Sequence, residues 1–164
     1  MIAAPLTDHV VLKRILHAAG GYAELGLNDM AWDEINSLPE TDRARPDVME
    51  FTLSLLIRES RWEEVVCAGR PLCSDPENPP SVFIHTAFAL HELGLTPEAR
   101  ALLLGGPESL RSDPLFHYNL ACYLATGGEI QDAEICLRTA FKMDPKLRIH
   151  AATDPDLLNL QGLV

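Results

Sequence analysis

The segment Tyr118–Pro145, YNLACYLATGGEIQDAEICLRTAFKMDP, decides the fold, because the chain before it repeats its pattern every 34 residues. Steps of 34 back from Gly128 reach Gly94, Ser60 and Gly26. The same steps from Ala133 reach Ala99, Val65 and Ala31, and from Leu124 they reach Leu90, Leu56 and Tyr22. Ala121 leads to Ala87, Leu53 and Ala19, and Leu137 leads to Leu103, Gly69 and Ile35. No gap is needed in any column. Several columns in one register mark an internal repeat.

Each column has a physical reading. The glycine column separates two helical runs, where a turn favours a residue that tolerates positive φ. Ala19, Ala87 and Ala121 let the first helix of a unit approach the second closely. Tyr22 and Leu124, three positions on, share a helix face with them. The Ala31, Ala99 and Ala133 column does the matching job on the second helix. The spacing predicts first helices over 8–25, 46–59, 80–93 and 114–127. Second helices are predicted over 28–38, 61–73, 96–104 and 129–143. Prolines at 39, 76, 79, 80, 107, 114 and 145 punctuate them. Thr96-Pro97-Glu98 reads as an N-cap followed by proline at the first helical position. Asp113-Pro114 and Arg45-Pro46 make similar starts. No period-two strand pattern is present. A helix pair of this kind cannot bury its apolar face alone, and stacking on neighbours buries it.

Residues 114–145 resemble a tetratricopeptide repeat through Asn119-Leu120-Ala121, Leu124, Gly128, Ala133, Ala140 and Asp144-Pro145. The third unit is similar through Thr86-Ala87, Leu90, Gly94 and Glu98-Ala99, and the first through Ala19, Tyr22, Gly26 and Ala31. The second departs most: Leu53 replaces the small residue and Gly69 stands where a large apolar one is usual. Its Arg61-Trp62-Glu63-Glu64-Val65 still resembles the start of a second helix. The resemblance covers about 12–145. It implies an all-α fold, a right-handed superhelical α-solenoid of four antiparallel helix pairs in one domain, 1–164. The repeats are expected over 12–45, 46–79, 80–113 and 114–147, with a closing segment over 148–164. Thr153-Asp154-Pro155-Asp156-Leu157-Leu158-Asn159-Leu160 reads as a capped turn and a short amphipathic helix. It would either cover the last repeat or act as a detachable latch.

The resemblance also implies a concave stripe on the first helices that binds protein or peptide. Its positions are Lys13, Leu16, Gly20 and Glu24, then Asp47, Glu50, Ser54, Ile57 and Arg58. They continue with Ile84, Phe88, His91 and Glu92, and with Leu115, Tyr118, Cys122 and Thr126. Some members grip a C-terminal carboxylate with Lys, Asn and Arg. Gly20, Glu50 and Ser54 stand at the matching positions, and Lys13 alone makes no such clamp. The stripe suits a peptide with apolar anchors. Phe88 and Tyr118 are the anchor candidates, since aromatic residues dominate interface energetics. The competing reading packs both between helices.

The formal charge is 13 − 24 = −11. Phosphate recognition needs a basic surface, so nucleic acid is not an expected partner, and an anionic membrane surface is disfavoured likewise. No apolar run approaches the roughly 20 residues of a membrane span. Met1 to Thr7 lacks the basic-then-apolar layout of a secretory signal. Cytoplasm is the expected compartment, and four scattered cysteines fit a reducing one. No two histidines in one helix have the three- or four-residue spacing of a helical metal pair, although His91 and Cys122 could meet across adjacent first helices. A packed thiol pair is the reading for Cys122 and Cys136. No nucleophile–base motif or phosphate-binding loop is present. The sequence therefore predicts a non-enzymatic adaptor without cofactor or metal. A small dedicated chaperone for a secreted substrate and a self-associating module are the alternatives.

Overall fold

The computed structural model describes residues 7–163. Every regular element among them is helical. The α-helices are α1 (His9–Glu24), α2 (Asn28–Asn36), α3 (Glu40–Arg43), α4 (Pro46–Arg58), α5 (Trp62–Leu72), α6 (Pro80–Glu92), α7 (Thr96–Gly105), α8 (Pro114–Thr126), α9 (Ile130–Met143) and α10 (Leu147–Ala151). Short 3-10 helices cover Glu108–Ser112 and Pro155–Leu163. The eight helices expected from the repeat begin and end within two residues of their expected limits. The remaining short elements lie in the connections and the closing segment.

The 34-residue register has a direct backbone expression. Gly26, Ser60, Gly94 and Gly128 have φ of 75°, 55°, 77° and 82°, and they are the positive-φ residues among those described. At each, two hydrogen bonds close the preceding helix. Leu27 N donates to Tyr22 O (2.9 Å) and Gly26 N to Ala23 O (3.1 Å). Arg61 N to Leu56 O, Leu95 N to Leu90 O and Glu129 N to Leu124 O repeat the longer bond at 3.0, 2.9 and 2.9 Å. This is the Schellman motif, which satisfies carbonyls left open at a helix end. Ser60 alone bears a Cβ there.

The chain divides into two compact units, Met1–Arg61 and Trp62–Val164. In the first, α1 packs on α2, and α4 touches α1, α2 and α3. Leu12, Ala19, Ala31, Ile35, Val48 and Leu55 form its core. Ala19 and Ala31, the two small-residue columns, are fully buried, as close helix approach requires. Trp32 Nε1 donates to Glu59 Oε1 at 2.9 Å, and Arg61 bonds Glu59 Oε2 at 2.9 Å while its guanidinium lies 5.2 Å from the Trp32 ring centroid. The Arg61 hydrogen bond is the main reason the Glu59 carboxyl sits below its usual range.

In the second unit α6 packs on α5 and α7, and α8 packs on α9. One apolar cluster runs from Phe83 through Leu103, Leu124 and Leu137 to Leu157 and Leu160. The departure at Gly69 has a steric cause. A Cβ built there would lie 2.0 Å from Thr86 Oγ1. Thr86 is fully buried on the facing helix, and its hydroxyl donates to Val82 O at 2.7 Å. The bulk expected on α5 is thus supplied from α6.

Thr96 differs from expectation. Leu95 occupies the N-cap position of α7 and Thr96 is its first helical residue. The Thr96 hydroxyl contacts His91 Nδ1 at 2.8 Å instead. Asp113 does cap, accepting from Leu115 N at 2.8 Å, whereas Arg45 makes no side-chain cap bond.

Two substitutions test these readings by denaturant unfolding. Ser60→Gly removes a left-handed cost of about 1–2 kcal/mol and adds a backbone-entropy cost of about 0.5–1 kcal/mol. A stabilisation of about 0.5–1 kcal/mol is expected, and no gain would refute strain at this turn. Gly69→Ala is expected to destabilise by about 1–3 kcal/mol through overpacking. Adding Thr86→Ala to that variant should recover at least half of the loss.

Candidate functional site

The last first helix, α8, carries Tyr118, Cys122 and Thr126 at intervals of four, which places them on one stripe. Tyr118 is 8% exposed and Cys122 4%. Helix α6 brings Phe88 and His91 to the same region. The closing segment lies across it. Asp154 and Asp156 flank Pro155 and begin the final 3-10 helix. Asp154 Oδ1 accepts from Asp156 N at 3.0 Å, the same capping grammar as Asp113-Pro114. Its other oxygen, Oδ2, accepts from Tyr118 Oη at 2.7 Å and faces Cys122 Sγ at 3.7 Å. Asp156 Oδ2 meets His91 Nε2 at 2.7 Å, and Oδ1 accepts from Thr126 Oγ1 at 3.4 Å.

Leu157 is fully buried and Leu160 is 4% exposed, so the segment is also held by apolar packing. Burying a leucine contributes about 1.5–3 kcal/mol. The closing segment therefore covers the α8–α9 end. Beneath it lies a cleft of about 310 Å³. Phe88, His91, Tyr118 and Cys122 from the predicted stripe line it, joined by Asp154 and Asp156 from the closing segment.

The cleft is poor at ionising its hydroxyl and thiol groups. Burial raises the Tyr118 phenol far above its ordinary pKa, and the hydrogen bond to Asp154 adds to the effect. Burial does the same to the Cys122 thiol, reinforced by the charges of Asp154 and Asp156. Both groups are thus donors at neutral pH, aimed at a carboxylate acceptor. The four cysteines are all free thiols.

The other predicted stripe residues are placed as follows. Ile84 is 3% exposed and belongs to the apolar cluster. Phe88 lines the cleft and also stacks edge-on against Trp62, with ring centroids 5.5 Å apart. In the first unit Lys13 is exposed, and Leu16 is half-buried against that unit's core. Glu50 and Ser54 are half-buried, and the Ser54 hydroxyl donates to Phe51 O at 2.7 Å. Arg58 donates to Ala23 O at 3.3 Å. Asp154 and Asp156 were not among the expected site residues. The sequence signal that could have found them is the Asp-Pro-Asp start, a cap with a second carboxylate two positions on.

The chain matches no family model, no curated protein and no solved structure.

Tyr118→Phe removes one donor from a half-buried carboxylate. A loss of about 1–2 kcal/mol is expected, felt first by the closing segment. Amide exchange over 153–160 should accelerate by about tenfold, while α1 and α2 exchange as before. Unchanged exchange in that segment would show that the Tyr118–Asp154 bond does not hold it.

Proposed function

We propose that this chain is a non-catalytic scaffold of the tetratricopeptide type, built as four stacked helix pairs in a right-handed superhelix, that binds a protein or peptide. The observation that carries this reading is the cleft. Stripe positions picked from the repeat register, Phe88, His91, Tyr118 and Cys122, line one concave site. Ligands bind in concave sites where polar groups converge beside apolar and aromatic side chains, and here Phe88 and Tyr118 share the lining with carboxylates. The four left-handed turns at 34-residue intervals support the repeat architecture that the reading requires. Phe88, half-buried at the cleft, is the anchor offered to a partner.

The test is affinity purification followed by measured binding of the recovered partner to wild type and to Phe88→Ala. An aromatic anchor contributes about 2 kcal/mol or more, so the variant should bind at least tenfold more weakly while keeping its far-UV circular dichroism. Undiminished binding by the folded variant would refute the groove assignment. Recovery of the chain itself as the main partner would instead favour a self-associating module.

A further inference from the structure

The cleft beneath the closing segment is lined by Cys122, Asp154, Asp156, Glu92, His91 and His150, and by no lysine or arginine. These are the side-chain types that ligate metal ions. Ligand atoms of Cys122, Asp154 and Asp156 all lie within 4.8 Å of one another. The Cys122 Sγ to Asp154 Oδ2 separation is 3.7 Å. Sulfur and oxygen ligands of a tetrahedral zinc ion, bonded at about 2.3 and about 2.1 Å, stand about 3.6 Å apart.

A second, independent observation is Tyr123. It is 2% exposed and lines the same cleft, yet its hydroxyl has no hydrogen-bond partner among the described residues. An unsatisfied buried hydroxyl is costly, and a metal-held water would supply its partner.

We propose that Cys122, Asp154 and Asp156 form a site for a divalent transition metal of the zinc type, completed by water, which fastens the closing segment to α8. On binding, the Cys122 S–H bond breaks, an S–metal bond forms, and the proton leaves to solvent. Tyr118 Oη and His91 Nε2 already bond the two carboxylates and hold them in orientation. A thiolate among the ligands selects against magnesium and calcium, which prefer oxygen. The site does not depend on the scaffold reading, because it needs no partner.

The experiment is titration of chelator-stripped full chain with cobalt(II), followed by absorption. One equivalent should give a thiolate-to-cobalt charge-transfer band in the near ultraviolet, and zinc(II) should abolish it by displacement. Cys122→Ser should lose the band. Asp156→Asn, which keeps the thiol, should weaken cobalt affinity at least tenfold. Cys67→Ser, which removes the exposed thiol, should leave the spectrum intact. The proposal is overturned if folded wild type shows no thiolate band. It is equally overturned if the band survives Cys122→Ser, depends on Cys67, or forms with unchanged affinity in Asp156→Asn. Should Cys122→Ser fail to fold by circular dichroism, wild type and Asp156→Asn decide. A failed cobalt titration leaves the partner-binding test of Phe88 untouched.

Discussion

A left-handed residue at a helix end reverses the chain and satisfies two of the carbonyls that the helix leaves open. Gly26, Ser60, Gly94 and Gly128 each satisfy such carbonyls with the same pair of hydrogen bonds. The rest of the structure follows from the reversal. At Gly26, Gly94 and Gly128 it sends the next helix back along the one just ended, and only then does it matter that Ala19 and Ala31, or Ala121 and Ala133, are small. Closely approaching helices need small residues at the contact, and the turns determine which positions meet. Ser60 makes the same turn at the conformational cost of its Cβ.

The closing segment is tied to the second unit by two kinds of force. Leu157 and Leu160 hold it by burial, which is insensitive to direction. Asp154 and Asp156 hold it by hydrogen bonds to Tyr118 and His91, which fix its register. Asp154 serves both its own helix and α8, one oxygen for each.

The helices and turns were legible because their signals are local. A glycine, a cap or a proline acts within a few residues, and the 34-residue spacing multiplied that signal fourfold. Asp113 was read correctly as a cap for this reason. Thr96 was not, because the helix starts one residue earlier and its hydroxyl is used by His91. The exchange of bulk between Gly69 and Thr86 was invisible, since complementary sizes on facing helices leave no trace along either one. The site was only half legible. Helices α6 and α8 are apolar almost all round, so no hydrophobic stripe distinguishes their open face. Ile84 was expected on that face and lies in the core, while Cys122 belongs to both descriptions. The link from His91 to Asp156 spans 65 positions, and no spacing rule reaches that far.

The connections over 37–45, 73–79 and 106–113 behave differently from the left-handed turns. They are equal in register yet unlike in conformation: the short helix α3 in one, an irregular stretch over 73–79 in another, and the 3-10 helix Glu108–Ser112 in the third. A turn inside a hairpin admits no added residue without rotating the following helix by about 100°, which would turn its alanine column away from its partner. The connections carry no such phase relation in their backbone. For protein engineering, the chain is therefore best opened at 74–77, where every residue is exposed. There a tag or a graft would leave the left-handed turns on either side untouched.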